Sequence, residues 1–317
     1  METILNFLPL TEEEQDLFRL AAPAAEHRFR PVDNMLNAGE PLPGDLEKAT
    51  IVLGNMSPAD VAAVPGLKWL QTWSAGVDPY LAPGVLSGGT VLTSAVGAYG
   101  QGVSEHMFAV LLSLCKRLPQ YRDLQNQNRW EPLGRILTLV DSTVLVVGTG
   151  DLGSSFAKLV KAMGAHTVGL RRDPSKPAEG IDEIYAFDRL EEWLPRADVV
   201  ALMVPHSPET DNLMDGRRIA LMKPEAILLN GGRGSAVDCD ALAAALASGH
   251  LWGAGLDVTR PEPLPEDHPL WQLPNCVITP HVAGGEYLSV TRSRVVDIVL
   301  ENLRRYTAGE PLRNRMR

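Results

Sequence analysis

Arg233, Asp257, Glu262 and His281 are the residues of this chain whose types and spacing could do chemistry together. Each belongs to the end of a short apolar run. Ala226–Asn230 leads into Gly231-Gly232-Arg233-Gly234, Gly253–Asp257 leads to Glu262, and Cys276–Thr279 leads into Pro280-His281. Ligands of open parallel sheets sit beyond the carboxyl ends of the strands, so these four side chains are expected at one edge. A histidine that titrates near neutrality can hand a proton to a developing alkoxide, and a neighbouring carboxylate can keep it charged. An arginine fork grips a carboxylate at two points and polarises a carbonyl. Together they are what hydride transfer to a small keto acid needs. Each has a plainer reading alone: Arg233 as a surface charge, Glu262 as one acid in a proline-rich loop, His281 and Asp257 as caps of a strand end and a turn.

The four do not stand alone. Thr143–Val147 is a β-branched run, Gly148-Thr149-Gly150-Asp151-Leu152-Gly153 fits G-x-G-x-x-G, and Ser154–Met163 reads as a helix. In such a unit Gly148 permits the sharp turn out of the strand. Gly150 lets backbone approach a pyrophosphate, and Gly153 lets helix and sheet pack closely, with helix N–H groups aimed at the phosphates. The strand before and the helix after are the context that the dinucleotide fingerprint requires.

The elements that must hold these residues follow from the periodicity. After the fingerprint come strand candidates at Thr167–Leu170, Val199–Val204, Ala226–Asn230, Gly253–Asp257 and Cys276–Thr279, which with Thr143–Val147 make six. Helical segments near Leu190–Leu194, Gly216–Met222 and Asp240–Ala247 lie between them. Thr259–Pro269 holds four prolines and is expected to be irregular. Before the fingerprint, Ile4–Leu8, Arg28–Phe29, Ile51–Gly54, Lys68–Trp73 and Thr90–Thr93 read as strands. Thr11–Ala21 reads as a helix with a capping box from Thr11 to Glu14, and Pro58–Val64 as a short one. Gly97–Gly102 reads as loop, Val103–Leu118 as a long apolar helix, 120–141 as mixed polar chain, and Glu286–Tyr306 as a final helix. The expected architecture is α/β: a Rossmann-type doubly wound parallel sheet over 98–285, inserted into a smaller α/β domain made of 1–97 and 286–317. Two chain crossings would form a hinge, with the active site in the cleft.

Composition narrows the function. The 317 residues are 45% apolar and 21% charged, with a formal net charge of −10. That balance argues against nucleic acid and acidic membranes but leaves room for a small anion beside local arginines. The apolar run Met107–Cys115 is too short to span a bilayer, and the N-terminus turns acidic at once, unlike a secretory signal. Cys115, Cys239 and Cys276 are widely spaced, as reduced thiols of a cytoplasmic protein would be. No metal site is expected.

The motifs, taken in order, resemble the NAD(P)-dependent D-2-hydroxyacid dehydrogenases, a group that includes glyoxylate and hydroxypyruvate reductases, D-3-phosphoglycerate dehydrogenase and formate dehydrogenase. The likeness rests on Ala197-Asp198-Val199-Val200 with Pro205 and Thr210, then Leu229–Gly234 with Val237-Asp238, then Gly255–Val258 with Glu262-Pro263-Leu264, then Thr279–Gly284. The resemblance implies a flavodoxin-like fold for the smaller, substrate-binding domain. It implies that Arg233 binds the substrate carboxylate and carbonyl, that His281 is the acid/base, that Glu262 pairs with it, and that Asp257 bonds the nicotinamide carboxamide. Cofactor contacts are also implied for Gly148–Gly153, Val204, Pro205, Ser207, Thr210, Gly231, Gly232, Ala283 and Gly284. Ser207 stands where many members carry Thr and still offers a hydroxyl. Ser74-Ala75-Gly76-Val77-Asp78 looks like the family's substrate loop, with the N–H groups of Ala75, Gly76 and Val77 as a carboxylate nest. Asn55, Met56, Trp73 and Tyr99 are candidates for the lining. Gly102-Val103-Ser104-Glu105-His106 is similar to the start of the family's interdomain helix, where Ala is commoner than Ser104.

One departure bears on the cofactor. NAD-using members end the strand after the fingerprint helix in an acid that binds the ribose diol. Here Thr167–Leu170 runs into Arg171-Arg172, and Arg171 takes the acid's place. Two cations suit a 2′-phosphate, so NADP is expected ahead of NAD, with Asp173 as the alternative ribose ligand. A homodimer using Val103–Leu118 is expected, because so apolar a helix is hard to hide in one domain. The expected activity is reduction of a small 2-keto acid to a D-2-hydroxy acid. D-3-phosphoglycerate dehydrogenase and a dinucleotide-sensing binding protein without catalysis are the alternatives.

Overall fold

The structure is a computed structural model that describes residues 1–35, 37–285 and 288–317. Its elements begin with β1 (Thr3–Asn6), α1 (Glu12–Ala21), β2 (Glu26–Phe29), α2 (Asp45–Lys48), β3 (Ile51–Leu53), α3 (Pro58–Ala62), β4 (Trp69–Gln71) and β5 (Val91–Thr93). Next come α4 (Gly100–Cys115), α5 (Leu118–Asn126), β6 (Thr143–Val147), α6 (Asp151–Ala162), β7 (His166–Leu170), β8 (Glu183–Tyr185) and α7 (Leu190–Trp193). The chain closes with β9 (Val199–Leu202), α8 (Gly216–Leu221), β10 (Ile227–Asn230), α9 (Cys239–Ala247), β11 (Gly253–Leu256), β12 (Cys276–Ile278) and α10 (Ser289–Ala308). Two compact units result: Met1–Tyr99 with Gly285–Arg317, and Gly100–Gly284.

In the first unit five parallel strands run in the order β2-β1-β3-β4-β5, the flavodoxin-like order. The capping box at α1 forms. Thr11 Oγ1 accepts from the Glu14 N–H at 3.2 Å, and the Glu14 carboxylate accepts from the Thr11 N–H at 2.8 Å. The returning α10 is tied in by a buried polar relay: Asn302 Nδ2 and the Thr93 hydroxyl both donate to Gln71 Oε1 at 2.7 Å, and Trp69 Nε1 donates to Thr93 Oγ1 at 2.8 Å. The described helix spans Ser289–Ala308; the expected start at Glu286 and Tyr287 lies outside the described residues.

In the second unit seven strands, all parallel, run in the order β12-β11-β10-β9-β6-β7-β8. That is the Rossmann order with one strand added, and its switch point lies between β6 and β9. The sequence reading counts six strands and misses β8. Glu183–Tyr185 is a half-buried edge of three residues, too short to show a period.

Two other corrections concern the helices before the sheet. The loop read over Gly97–Gly102 gives way to helix at Gly100. The stretch read as mixed polar chain over 120–141 begins as helix, α5. Arg117 breaks α4 in the left-handed region at φ 58°, and Pro119 then sits in the first turn of α5, where its missing N–H costs nothing.

One apolar face of α4 packs on its own sheet, while Phe108, Ala109 and Leu112 on the helix are not buried. Val103, Met107, Val110, Leu111 and Leu114 are all buried. Three of them lie over strand or strand-end glycines: a Cβ on Gly231 would come within 2.9 Å of Met107, on Gly255 within 2.4 Å of Val110, and on Gly253 within 3.1 Å of Leu114. With glycine at those places the helix settles onto β10 and β11 at close range, which buries its apolar residues against its own sheet.

Candidate active site

The fingerprint loop is shaped by the space around its glycines. Gly148 leaves β6 at φ 94°, and a Cβ there would lie 2.6 Å from the Met203 carbonyl oxygen. A Cβ on Gly153 would lie 1.9 Å from the Gly148 carbonyl oxygen, so helix and strand meet where only glycine fits. At Gly150 a Cβ would meet nothing within 4 Å, which is the open side that a ligand would approach. Among the described residues no acceptor takes the N–H groups of Thr149, Gly150, Asp151 or Leu152. The buried Thr149 hydroxyl is unpartnered as well. Unpaired N–H groups at the start of a twelve-residue helix are an anion site, so this loop fits a dinucleotide pyrophosphate. Leu152 is half-buried in the first turn beside it.

From that loop a pocket of about 750 Å³ extends to the end of β7, where Arg171, Arg172, Asp173, Lys176, Glu209 and Arg218 line it with Val204 and Pro205. Arg171 Nη1 donates to the carbonyls of Lys176 and Pro177 at 3.0 and 3.1 Å; its other guanidinium nitrogens have no acceptor among the described residues. Arg172 lies 3.6 Å from the Glu209 carboxylate. Asp173 Oδ1 is taken by the Ser175 hydroxyl and N–H, which hold its carboxyl below the usual range. Ser207 and Thr210 organise the loop after β9: the Thr210 hydroxyl donates to the Pro205 carbonyl at 2.7 Å and accepts the Ser207 N–H at 2.9 Å. Lys176 and Arg218 are additions that only the fold brings to the pocket.

The three neighbouring strands β10, β11 and β12 deliver the chemical residues to one edge. After β10, the buried Asn230 clamps its own turn, donating from Nδ2 to the Arg233 carbonyl at 2.9 Å and accepting the Gly232 N–H at 3.2 Å. Glycine is required here too, since a Cβ on Gly232 would lie 2.6 Å from the Val204 carbonyl oxygen. Arg233 Nη1 donates to the Gly232 carbonyl at 2.9 Å, which turns the guanidinium back over that loop. After β12, His281 Nδ1 lies 2.6 Å from Glu262 Oε1, with both side chains about half exposed. Its Nε2 has no partner among the described residues. His281 sits at φ 54°, a left-handed backbone that costs a non-glycine residue about 1–3 kcal/mol and persists only where its surroundings impose it.

Asp257 imposes it. Its Oδ1 accepts from the Thr279 hydroxyl at 2.6 Å and the Val282 N–H at 3.0 Å, its Oδ2 from the Ala283 N–H at 3.0 Å, and its carbonyl from the His281 N–H at 2.8 Å. The side chain read as a nicotinamide ligand is therefore buried and largely engaged in holding the Thr279–Gly284 turn. A Cβ on Gly102 would lie 2.9 Å from the Gly284 carbonyl oxygen, so α4 packs on that turn directly.

In the first unit, Asn55 positions the Ser74–Val77 loop, donating to Ser74 Oγ at 3.2 Å and accepting the Trp73 N–H at 3.1 Å. The Ser74 hydroxyl donates to the Gly76 carbonyl at 2.7 Å. The N–H groups of Ala75, Gly76 and Val77 have no acceptor among the described residues. The Tyr99 hydroxyl donates to the Trp73 carbonyl at 2.6 Å, which makes it a brace of that loop, and Met56 and Trp73 are buried beneath. Burial pushes the Cys115 thiol up to about 11 and Cys276 up to about 12, so neither offers a thiolate near neutral pH. Among the described residues no cluster of three His, Cys, Asp or Glu could hold a metal, and no helix is long and apolar enough to cross a membrane.

Residues 108–283 match the family defined as D-isomer specific 2-hydroxyacid dehydrogenase, NAD binding domain. The chain belongs to that family. A crystal structure of a D-isomer specific 2-hydroxyacid dehydrogenase family protein from Aeromonas salmonicida is 32% identical, with a TM-score of 0.83 over 100% of this chain and 99% of the other. The glyoxylate reductase/hydroxypyruvate reductase of Homo sapiens is 31% identical over 255 residues, 79% of this chain and 77% of its own. An NADPH-dependent glyoxylate/hydroxypyruvate reductase from Sinorhizobium meliloti, solved with NADP and sulfate, is 26% identical with a TM-score of 0.81 over 100% of this chain and 98% of the other. A 2-hydroxyacid dehydrogenase carries its nicotinamide dinucleotide in the seven-stranded unit. Here the unpaired N–H groups at the start of α6 and the pocket at the end of β7 lie in the matched residues.

Proposed function

We propose that this chain is an NADPH-preferring reductase of small 2-keto acids, giving D-2-hydroxy acids, with glyoxylate and hydroxypyruvate as the first substrates to test. The observation that carries this reading is the His281–Glu262 pair at 2.6 Å, set at the same sheet edge as Arg233. The reduced nicotinamide, when bound, supplies the hydride to the carbonyl carbon. Arg233 grips the substrate carboxylate and draws charge from the carbonyl oxygen. Glu262 holds the Nδ1 proton of His281, so Nε2 is the nitrogen that faces the substrate. The Nε2 proton moves to the carbonyl oxygen as the C–H bond forms, and solvent restores it. Oxidation of a hydroxy acid runs the same steps backwards. Met1–Tyr99 with Gly285–Arg317 is the substrate-binding domain in this reading, and the N–H groups of Ala75, Gly76 and Val77 are its nest for a carboxylate.

The cofactor preference rests on Arg171 and Arg172 at the end of β7, where an acid would be needed for an unphosphorylated ribose. We further propose a cytoplasmic homodimer. Phe108, Ala109 and Leu112 of α4 are not buried, and in the chain after it Leu118, Trp130, Ile136 and Val140 expose half or more of their area, so this helix and the chain after it are the surface that calls for a partner. A panel of 2-keto acids assayed with NADPH and with NADH tests the reading. Turnover of keto acids with NADPH ahead of NADH is expected, and binding of the dinucleotide without turnover on any keto acid would favour a sensor over an enzyme.

A further inference from the structure

The geometry points to His106 of α4 as a positioning residue that holds the acid/base His281 in place through Thr279 and Asp257. This inference rests on the reductase reading for the role of His281, but the chain of contacts is independent of it. His106 Nε2 lies 3.0 Å from Thr279 Oγ1 and 3.9 Å from Asp257 Oδ1. The Thr279 hydroxyl has one proton, and at 2.6 Å that proton goes to Asp257 Oδ1. Thr279 Oγ1 can then only accept from His106, so His106 carries its proton on Nε2. The relay runs in one direction: His106 Nε2–H to Thr279 Oγ1, and Thr279 O–H to Asp257.

Its far end is the catalytic turn. Asp257 receives the N–H groups of His281, Val282 and Ala283 on its carbonyl, Oδ1 and Oδ2. Three consecutive N–H groups thus end on one residue, and they hold His281 at φ 54°. The near end is rigid as well. His106 precedes Met107, which sits over Gly231, and Val110 and Leu114 lie over Gly255 and Gly253. The helix therefore presents the His106 donor from a fixed place, about as a wall presents a hook. Without it, the Thr279 hydroxyl loses its incoming donor, is free to rotate off Asp257, and leaves Oδ1 to the Val282 N–H alone. Nothing else among the described residues replaces that donor. A turn so loosened would misplace the His281 ring, and a displacement of about 1 Å at a reacting group can cost up to about a hundredfold in rate.

The test compares His106→Leu, which removes the donor, with His106→Gln, whose Nε2–H can reach the same acceptor. On a keto acid that the parent reduces, His106→Leu is expected to lower kcat about tenfold, with KM for the keto acid, the Kd for NADPH and the thermal midpoint close to the parent's. His106→Gln is expected to recover most of the loss, which a packing role would not allow. Thr279→Val and the double variant Thr279→Val with His106→Leu should show the same kcat, because the relay is already cut at Thr279. A second readout needs no turnover. Long-range ¹H–¹⁵N spectra of the ligand-free parent should show His106 as the Nε2–H tautomer, and the His281 ring signals should shift in His106→Leu and return in His106→Gln. A parent that reduces no keto acid would overturn the reductase reading, and the spectra would then decide the relay alone. Parental kcat and unmoved His281 signals in His106→Leu, or a His106 proton on Nδ1, would overturn the inference.

Discussion

Replacing Arg171 by Asp should invert the cofactor preference, and the structure bounds by how much. In the parent, Arg171 Nη1 is committed to the carbonyls of Lys176 and Pro177, so Nη2 and Nε are what remain for a 2′-phosphate. One or two charge-assisted hydrogen bonds are available, each worth about 1.5–3 kcal/mol when fully formed. The site is partly open to solvent, which cuts that gain. A ten- to hundredfold advantage for NADPH in kcat/KM is expected, the equivalent of about 1.4–2.8 kcal/mol. Arg171→Asp removes the cation, adds repulsion toward the phosphate and supplies an acceptor for a ribose diol, so NADH should become the better cofactor. The same change releases the Lys176–Pro177 loop. Arg171→Ala and Arg172→Ala are therefore run beside it; they should lose preference by weakening NADPH without improving NADH. The assay is the initial rate on one keto acid across a range of each cofactor. Equal or better use of NADH by the parent would refute the reasoning and direct attention to Asp173, although its Oδ1 is already engaged by Ser175.

Arg233→Lys keeps the charge but loses the fork; kcat/KM for keto acids should fall by at least about a hundredfold, as loss of a positioning clamp can cause, while NADPH binding by fluorescence titration survives. Gly255→Ala places a Cβ 2.4 Å from Val110 and 2.9 Å from Leu229, and overpacking of this kind costs about 1–3 kcal/mol. Denaturant unfolding should show that loss, and adding Val110→Ala should recover part of it. Sedimentation should show a dimer at micromolar concentration, and Trp130→Ala should weaken it; a monomeric parent would contradict the proposed assembly.

Much of this fold is legible because its punctuation is chemical. Gly148 and Gly153 stand where backbone crowding demands a glycine, with Gly150 on the open side between them, and Arg233, Asp257 and His281 follow β10, β11 and β12 as the apolar runs imply. The features that escaped the sequence have physical reasons as well. β8 is three half-buried residues at an edge, with no alternation to detect. The stretch 120–141 reads as mixed polar chain, but after the left-handed Arg117 a new helix starts at Leu118 and runs to Asn126. The apolar length of α4 does not disclose that Met107, Val110 and Leu114 are received by glycines on β11 and just after β10. Asp257 shows at its strand end only a ligand role, and its three bonds to the turn after β12, which leave Oδ2 room for one more donor, need the fold to be seen. Lys176 and Arg218 have no local signal, and His106, though part of the family-like Gly102–His106 stretch, shows nothing there of its role, since its partner Thr279 is remote in the chain.

The most direct measurement of the central claim follows the absorbance of reduced nicotinamide as glyoxylate or hydroxypyruvate is added, for the parent and for His281→Gln at matched NADPH saturation. A steady loss of absorbance with the parent is predicted, with a stoichiometric yield of the D-2-hydroxy acid. In His281→Gln the rate should fall by about 10²–10⁴-fold, the usual contribution of a general acid, with the Kd for NADPH unchanged. Turnover in His281→Gln near that of the parent would contradict the account, because the proton would then come from somewhere other than the His281–Glu262 pair.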